Sequence, residues 1–115
     1  MKRLNHYAVG ILQGSEMLFS DFEAGGLMWT GSGQREHRVP VVFDQPFRDL
    51  PVVHIGLTMW DIERGENQRV DLRTETVSRT GFSIIFATWG NTHIARVRAD
   101  WLAIGPVEYE EDFDL

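Results

Sequence analysis

The chain has 115 residues, of which 43% are hydrophobic and 24% are charged, and its formal net charge is −6 at pH 7. This length and composition indicate one globular domain and exclude a disordered chain. The acidic balance excludes the basic surface of a nucleic-acid-binding protein, and the absence of cysteine excludes disulfides, thiol catalysis and a cysteine-ligated metal.

Two further features concern membranes and export. No apolar run approaches the roughly 18 residues of a membrane-spanning helix. Met1-Lys2-Arg3 is basic, but the polar Asn5-His6 follows shortly after it. We therefore expect no signal peptide and a soluble protein, and the sequence leaves its location unknown.

The N-terminal segment contains one strand pattern and no helix pattern. Apolar residues alternate at Tyr7, Val9 and Ile11, which predicts a short strand. The Gln-Gly-Ser sequence at residues 13–15 predicts a turn after it. The acidic stretch at residues 21–26 ends in Gly-Gly without a helical period, so we predict no helix there.

Residues 28–33 are rich in glycine and include Trp29. The segment lacks the Gly-Lys-Ser/Thr sequence of a phosphate-binding loop, and no helix is predicted after it. Two interpretations stay open. Trp29 covers an edge of the core in a tight turn, or the loop brings backbone N–H groups close to a ligand.

Three strands are predicted in the middle of the chain, at residues 38–43, 52–60 and 69–77. Pro40 in the first of them fits only an edge strand or an outward-facing position, and residues 78–81 predict a hairpin turn after the third. The residues expected to point inward are Val39, Val41, Phe43, Val53, Ile55, Leu57, Met59, Val70 and Leu72. The residues expected to form an outward ladder of alternating charge are Arg69, Asp71, Arg73 and Glu75.

The last two strands form the clearest pattern in the sequence. Residues 82–89 and 94–104 alternate in character around the turn Trp89-Gly90-Asn91, which predicts an antiparallel pair. The core face of this pair is expected to contain Phe82, Ile84, Phe86, Ala95, Val97, Ala99, Trp101 and Ala103. Trp89 lies on the opposite face, at the lip of the turn.

Some outward-facing residues are too apolar for a surface that contacts only water. These residues are Val52, Trp60, Ile85, Ala87 and Trp89. Contiguous exposed apolar area usually marks an interface, so we predict that this face joins the chain to a partner.

About six evenly spaced strands without a helix predict an all-β fold, a six-stranded antiparallel β-sandwich. Over residues 38–105 the sequence also resembles the H-type lectin domain, the sugar-binding module of snail agglutinins and slime-mould discoidins. The strongest parts of the resemblance are Thr80-Gly81-Phe82, Thr88-Trp89-x-Asn91-Thr92 and Trp101-Leu102-Ala103-Ile104. Around this lectin-like sandwich, we expect residues 1–37 to form an extended arm and loop of the same domain, and residues 106–115 to form an acidic tail.

The resemblance implies a sugar-binding site made of an early loop, an arginine from a middle strand and the tryptophan turn. Arg69 matches the family's arginine and Trp89 matches its tryptophan. A guanidinium donates two hydrogen bonds to neighbouring hydroxyls, and an aromatic ring packs on the apolar C–H face of a sugar. The predicted carbohydrate-binding residues are Gly31, Ser32, Arg69, Asp71, Trp89, Gly90 and Asn91, with no metal and no cofactor.

Three positions differ from the family pattern. Ser32, or a glycine beside it, stands where the family has an acidic residue. Gly90 stands where snail members have histidine, and Ala95 replaces an aromatic residue. Asp71, two residues from Arg69, is the candidate to replace the missing acid. Other interpretations stay open: the arginine and this aspartate form a simple ion pair, and the tryptophan packs in a turn or an interface.

The sequence gives little support for an enzyme. Its four histidines show no metal-ligand spacing. Asp61 and Glu63 are close enough to suggest a carboxylate pair, but both are expected in one polar loop rather than on two sides of a cleft. No catalytic residue is predicted.

We therefore expect a non-enzymatic carbohydrate-binding protein for galactose, N-acetylgalactosamine or a bacterial surface glycan. The resemblance implies a homotrimer or a dimer of trimers, which presents several sites to a glycan-coated surface. The alternative is a trimerising structural or adhesive module without sugar binding. The expected partners are a glycan and further copies of the chain, with no nucleic acid and no membrane span.

Overall fold

The computed structural model describes residues 1–4 and 8–109. Its elements are β1 (Ala8–Ser20), α1 (Asp21–Ala24), α2 (Leu27–Thr30), β2 (Arg35–Val42), β3 (Val52–Ile62), β4 (Asp71–Glu75), β5 (Gly81–Thr88) and β6 (Ile94–Val107). The strands form two three-stranded antiparallel sheets, ordered β1-β6-β3 and β2-β5-β4. The predicted antiparallel β-sandwich is confirmed. Tyr7 and residues 110–115 of the predicted tail lie outside the described residues.

The core lies between the two sheets, on the predicted inward faces of β5 and β6. Phe82, Ile84 and Phe86 of β5 are at most 4% exposed. The ring of Phe82 packs against Trp101 of β6 at a centroid distance of 5.5 Å and against Phe43 at 5.8 Å. The buried residues of β6 on this side are Ala95, Val97, Ala99, Trp101 and Ala103. The two C-terminal strands therefore supply the centre of the fold, with the core faces that were predicted. They lie in different sheets, so the predicted antiparallel pairing between them is wrong: the turn at residues 89–91 passes from one sheet to the other.

β1 is longer than predicted because Gly14 does not turn the chain. The strand runs alongside β6, and Gly14 pairs with Trp101. A Cβ atom on residue 14 would lie 2.7 Å from the indole of Trp101, closer than real atoms pack. The predicted turn at residues 13–15 is therefore wrong, because this glycine makes room for a core ring within a continuous strand.

Two single-turn helices connect β1 to β2, so the prediction of no helix in this segment is wrong. α1 and α2 have four residues each, too few to show a helical period in the sequence. Gly25, with φ of +68°, ends α1. The Asp21 carboxylate accepts a hydrogen bond from the backbone N–H of Met28 at 3.0 Å. Within the described residues, no helix is long or apolar enough to cross a membrane.

The strands next to β5 differ in how well they follow the prediction. Pro40 lies on β2, which is an edge strand as expected. β4 begins only after Arg69 and Val70. Val70 is 38% exposed, so its predicted inward position is wrong, whereas Leu72 packs against the core. The shortened strand leaves Arg69 in the connecting segment, where its side chain can reach the β5–β6 turn.

A charged layer covers the outer face of the β2-β5-β4 sheet. We define it as Glu36, Arg38, Asp71, Arg73 and Glu75. Arg73 contacts Asp71 at 2.9 Å, Glu75 at 3.3 Å and Glu36 at 3.5 Å. Arg38 contacts Glu75 at 2.7 Å. Three of the four residues of the predicted charge ladder therefore form it within β4, and it extends across the sheet to β2. The fourth, Arg69, is not part of it, because it precedes the strand.

The charged layer buries apolar residues of the central strand. Ile85 pairs with Arg38 on one side and Arg73 on the other. Ile85 is 0% exposed and Ala87 is 3% exposed. The prediction that these two residues belong to an exposed apolar face is therefore wrong, because the aliphatic stems of the neighbouring long side chains cover them.

The outer face of the β1-β6-β3 sheet carries an uncovered apolar patch at one end, whereas its other end carries polar side chains such as Arg98 and Asp100. We call Val9, Ile11, Val52, Leu102 and Ile104 the apolar sheet face. Ile104 pairs with Ile11 on one side and with Val52 on the other. Val9, Ile11 and Val52 are 51–62% exposed. Neighbouring exposed apolar side chains therefore lie together on this face. Of the residues predicted to form an apolar interface, Val52 belongs to it.

Candidate functional site

Several predicted site residues meet at the end of the sandwich where β5 turns into β6. Trp89 opens the turn and is 41% exposed. Gly90 follows with φ of +69°, in the left-handed region that glycine adopts at low cost. A Cβ atom on Gly90 would lie 3.1 Å from Nη1 of Arg69. The glycine therefore both turns the chain and admits the guanidinium beside it.

Two buried threonines hold the backbone of Arg69 against the turn. Thr88 Oγ1 donates a hydrogen bond to the carbonyl of Arg69 at 2.5 Å. The backbone N–H of Arg69 donates to Thr92 Oγ1 at 3.2 Å, and Thr92 donates in turn to the carbonyl of Asn67. Both threonines are fully buried, so these bonds are shielded from water. The position of Arg69 is thus fixed by the fold and not by a surface contact.

The Arg69 side chain begins a chain of polar contacts that ends at an acid the sequence analysis missed. Arg69 Nη1 donates to Asn91 Oδ1 at 3.0 Å, and Asn91 Nδ2 donates to Glu66 Oε2 at 2.5 Å. The amide of Asn91 is neutral, so it orients the guanidinium without neutralising it. The only sequence signal for Glu66 is its place in the polar loop before Arg69, because its contact with Asn91 spans 25 residues.

Arg35, which the sequence analysis also missed, fixes the glycine-rich loop to the same turn. It is only 7% exposed. Its Nε donates to the carbonyl of Gly33 at 2.9 Å, its Nη1 to the carbonyls of Met28 and Leu27 at 3.2 and 3.4 Å, and its Nη2 to that of Gly90 at 3.2 Å. Desolvation lowers the pKa of this guanidinium, but an arginine stays charged at neutral pH.

The backbone of the glycine-rich loop contacts the turn directly. Gly33 N–H donates to the carbonyl of Gly90 at 2.9 Å, so this donor serves the fold and not a ligand. Gly31 is held against the carbonyl of Leu27, and Ser32 is exposed between the two glycines. The structure therefore brings the predicted loop and the predicted turn together within one chain.

Asp71 does not pair with Arg69. Its carboxylate accepts a hydrogen bond from Arg73 at 2.9 Å on the outer face of the sheet, while Arg69 contacts Asn91 instead. The interpretation of Arg69 as a simple ion pair with Asp71 is therefore not supported. Ala95 is 5% exposed at the start of β6, so no side chain from that position reaches the surface beside the turn.

The carboxylates considered for catalysis lie apart in separate ion pairs. Asp61 belongs to β3, not to the loop, and contacts Arg96 at 3.1 Å. Glu63 contacts His93 Nδ1 at 2.7 Å. Each acid therefore has its own basic partner, and they do not face each other across a cleft. Among residues 1–4 and 8–109, no group of three His, Cys, Asp or Glu side chains is placed to hold a metal ion.

The arrangement combines an exposed aromatic ring, an oriented guanidinium, an amide and a carboxylate at one turn. Such groups recognise hydroxyls and an apolar ring face. Comparison with known proteins identifies the family of the chain. The sequence model of the H-type lectin domain matches residues 38–104, more than half of the chain. The chain belongs to the H-type lectin domain family.

Two named relatives of this H-type lectin domain differ in their names and in how much of their length the match covers. A Fuscovulum blasticum protein named ATP synthase subunits region ORF 7 is 54% identical over 108 residues, which cover 94% of both chains. A discoidin-1 polypeptide of Dictyostelium discoideum is 36% identical over 75 residues, which cover 64% of this chain and 30% of that protein. At the level of the family, this chain is a carbohydrate-binding lectin domain.

A solved structure of wild-type discoidin II from Dictyostelium discoideum has the same fold as this H-type lectin domain. The two superpose with a TM-score of 0.76 at 23% sequence identity. The likeness covers 90% of this chain and 40% of the discoidin II chain. The chain therefore spans less than half the length of the discoidins it matches, and it corresponds to one part of them.

Proposed function

We propose that this H-type lectin domain binds galactose, N-acetylgalactosamine or a bacterial surface glycan at the β5–β6 turn. The observation that carries the proposal is the Arg69 guanidinium, held by the neutral amide of Asn91 beside Gly90 and the exposed Trp89. A guanidinium fork suits neighbouring hydroxyls. The ring of Trp89 offers an apolar face that loses little conformational entropy on binding.

Further residues of the chain complete the proposed site. Gly31 and Ser32 form its third wall, because their loop is fastened to the turn. Glu66 supplies the carboxylate acceptor that Ser32 does not, since it already contacts the site amide. Asp71 follows two residues after Arg69, but its contact with Arg73 holds its carboxylate on the outer face of the sheet.

The proposal predicts that Trp89→Ala weakens glycan binding about tenfold, the effect of losing one aromatic contact. The fold should survive, because the ring is 41% exposed. A glycan array followed by titration calorimetry measures the effect. Trp60→Ala is the matched control, since Trp60 is 58% exposed on β3 and lies outside the site. Array signals that persist in Trp89→Ala place the binding site elsewhere and reject the proposal.

Arg69→Lys should also weaken binding by about tenfold, because an ammonium cannot reproduce the bidentate fork. Titration calorimetry with the best sugar from the array gives the affinity, and circular dichroism verifies the fold. Arg64→Lys, in the exposed loop before Arg69, is the control for a change of arginine to lysine. Equal affinity in Arg69→Lys and the wild type contradicts a hydroxyl-binding role for the guanidinium.

The apolar sheet face supports self-association of this lectin domain as a homotrimer or a dimer of trimers. Single shallow sites bind monosaccharides weakly, and several sites on one assembly increase the avidity for a glycan-coated surface. Ile11→Lys should convert the assembly to monomers in light scattering, because Ile11 is 62% exposed on this face. Val42→Lys, at a 79% exposed position on the other sheet, should leave the mass unchanged. A wild-type monomer at micromolar concentration contradicts the assembly.

The same apolar face favours a second function, a module that assembles copies of the chain without binding sugar. In that case the purified assembly gives no signal across galactose, N-acetylgalactosamine and bacterial polysaccharide ligands, while light scattering still shows an oligomer. The glycan array therefore separates the two functions.

A further inference from the structure

Three aromatic rings pack edge to face next to the proposed sugar site. Phe22 is in α1, Trp29 is in α2 and His93 precedes β6, and we call them the ring cluster. The rings of Phe22 and Trp29 have centroids 5.0 Å apart, and those of Trp29 and His93 are 6.3 Å apart. Phe22 is 59% exposed and the His93 side chain is 30% exposed. The ring cluster therefore presents aromatic surface to solvent.

Polar groups flank the ring cluster on the β3 side. His93 Nδ1 lies 2.7 Å from Glu63 Oε2, and the backbone N–H of Glu63 donates to the carbonyl of His93 at 2.9 Å. Arg96 lies 3.1 Å from Asp61 and 4.0 Å from Glu23. Aromatic surface bordered by hydrogen-bonding side chains is suited to a sugar ring, because it offers contacts for both C–H groups and hydroxyls.

The ring cluster is continuous with the Trp89 turn. Asn91 and His93 are separated only by Thr92, so their Cα atoms are at most about 7 Å apart. Glu63 and Glu66, which contact His93 and Asn91 respectively, belong to the same loop. The two groups of residues therefore form one strip along the end of the sandwich.

We propose that the ring cluster is a second subsite, which holds the next residue of an oligosaccharide whose terminal sugar lies against Trp89 and Arg69. The proposal rests on the sugar-binding function proposed above. It identifies the ligand as an oligosaccharide rather than a monosaccharide, because aromatic surface occurs twice along one strip, at Trp89 and at the ring cluster.

The charges around the ring cluster define the class of oligosaccharide. Glu23, Asp61 and Glu63 carry three carboxylates, and Arg96 is the cation among them. Excess negative charge repels uronic and sialic acids. The second subsite therefore accepts a neutral sugar residue and rejects an acidic one.

The test compares monosaccharides with neutral oligosaccharides that end in the same sugar, using titration calorimetry on the full chain. We expect the wild type to bind its best oligosaccharide about fivefold more tightly than the terminal monosaccharide, the effect of one additional aromatic contact. Phe22→Ala should remove this gain. The monosaccharide does not reach Phe22, so its affinity should not change. Leu27→Ala, at a 70% exposed position on α2, is the control that should keep the gain.

A second measurement does not depend on any variant. In NMR spectra of the wild type, ring protons of Phe22 and His93 should shift with the oligosaccharide and stay unchanged with the monosaccharide. If the protein binds a monosaccharide through Arg69 but Phe22→Ala keeps the oligosaccharide gain, or the ring protons do not shift, the second subsite is rejected and the proposed function stands. If the wild type binds no sugar, both are rejected.

Discussion

The outer faces of the two sheets both carry apolar residues on their central strands, but only one face is covered. On β5, Ile85 lies between Arg38 and Arg73 and has no exposed surface. On β6, Ile104 lies between Ile11 and Val52, and these neighbours are themselves 62% and 53% exposed. Long charged side chains reach over the first isoleucine, whereas short apolar ones stand beside the second.

This difference shows that the side chains of the flanking strands decide whether an outward-facing residue of a central strand is buried or exposed. The stems of Arg38 and Arg73 are aliphatic and their charged ends contact Glu75, so they cover Ile85 while their charges stay in water. The sheet with the charged layer therefore has an outer surface that suits solvent. The other sheet keeps exposed apolar side chains around Ile104 at one end of its outer face.

The largest expected effect is the difference in the free energy of unfolding between two variants, each with one isoleucine replaced on one of the faces. Ile85→Ala should lower the free energy of unfolding by about 2 kcal/mol, the lower end of the range for buried isoleucine, because the flexible arginines collapse partly into the space. Ile11→Ala should lower it by less than about 0.5 kcal/mol. Urea unfolding, at a dilution where light scattering shows a monomer, measures both. Equal losses would mean that the two faces are buried alike.

A smaller effect is expected from removing the centre of the charged layer. Arg73→Ala should lower the urea midpoint less than Ile85→Ala does, because its ion pairs with Glu36, Asp71 and Glu75 are exposed. The difference between Arg73→Ala and the wild type should shrink at about 1 M NaCl, where salt screens exposed charges. Arg98→Ala on the other sheet is the control. A loss that salt does not change would assign the effect of Arg73 to packing.

The smallest expected effect is the pH dependence of stability that comes from one carboxylate on each face. The hydrogen bond from Arg38 lowers the pKa of Glu75 below its usual 4.5, and the hydrogen bond from Ser15 lowers the pKa of Asp100 below its usual 3.8. A lowered pKa in the folded state stabilises the fold above the usual value, and this stability is lost as pH falls through the folded value. Acid should therefore weaken both contacts.

NMR titration separates the two carboxylates. Arg38→Ala should raise the pKa of Glu75 toward 4.5 and leave that of Asp100 unchanged. High salt should raise the pKa of Glu75 more than that of Asp100, because arginines hold the first and a serine hydroxyl is the main partner of the second. Equal shifts of the two pKa values with salt would show that neighbouring charges contribute equally to the pKa of Glu75 and to that of Asp100.

Strands with strict alternation were predictable because a period of two assigns each residue to a face. The core faces of β5 and β6 follow the prediction for this reason, and Pro40 lies on an edge strand. The predicted pairing of β5 with β6 is wrong, because the alternation does not show which sheet a strand joins. The turn at Gly14 and the exposure of Ile85 were predicted wrongly, since both depend on a neighbouring strand. A local pattern shows neither the indole of Trp101 above Gly14 nor the arginines beside Ile85.

The residues of the candidate site that belong to the family motif were predicted from the sequence. The residues that reach it through contacts between distant segments were missed. Arg69 and Trp89 came from the motif. Glu66 contacts Asn91 across 25 residues, and Arg35 contacts Gly90 across 55 residues. These separations carry no local signal, because the fold alone decides which loops meet at the end of the sandwich.

The buried guanidinium of Arg35 limits how the glycine-rich loop can vary. It donates hydrogen bonds to carbonyls of α2, Gly33 and Gly90 at once. An insertion or deletion between residues 30 and 35 would move some of these carbonyls away and leave the buried guanidinium without acceptors. Leaving a buried charge unpaired is costly. Under the proposed function, new sugar preferences should therefore arise by replacing exposed side chains such as Ser32, while the number of residues in the loop stays constant.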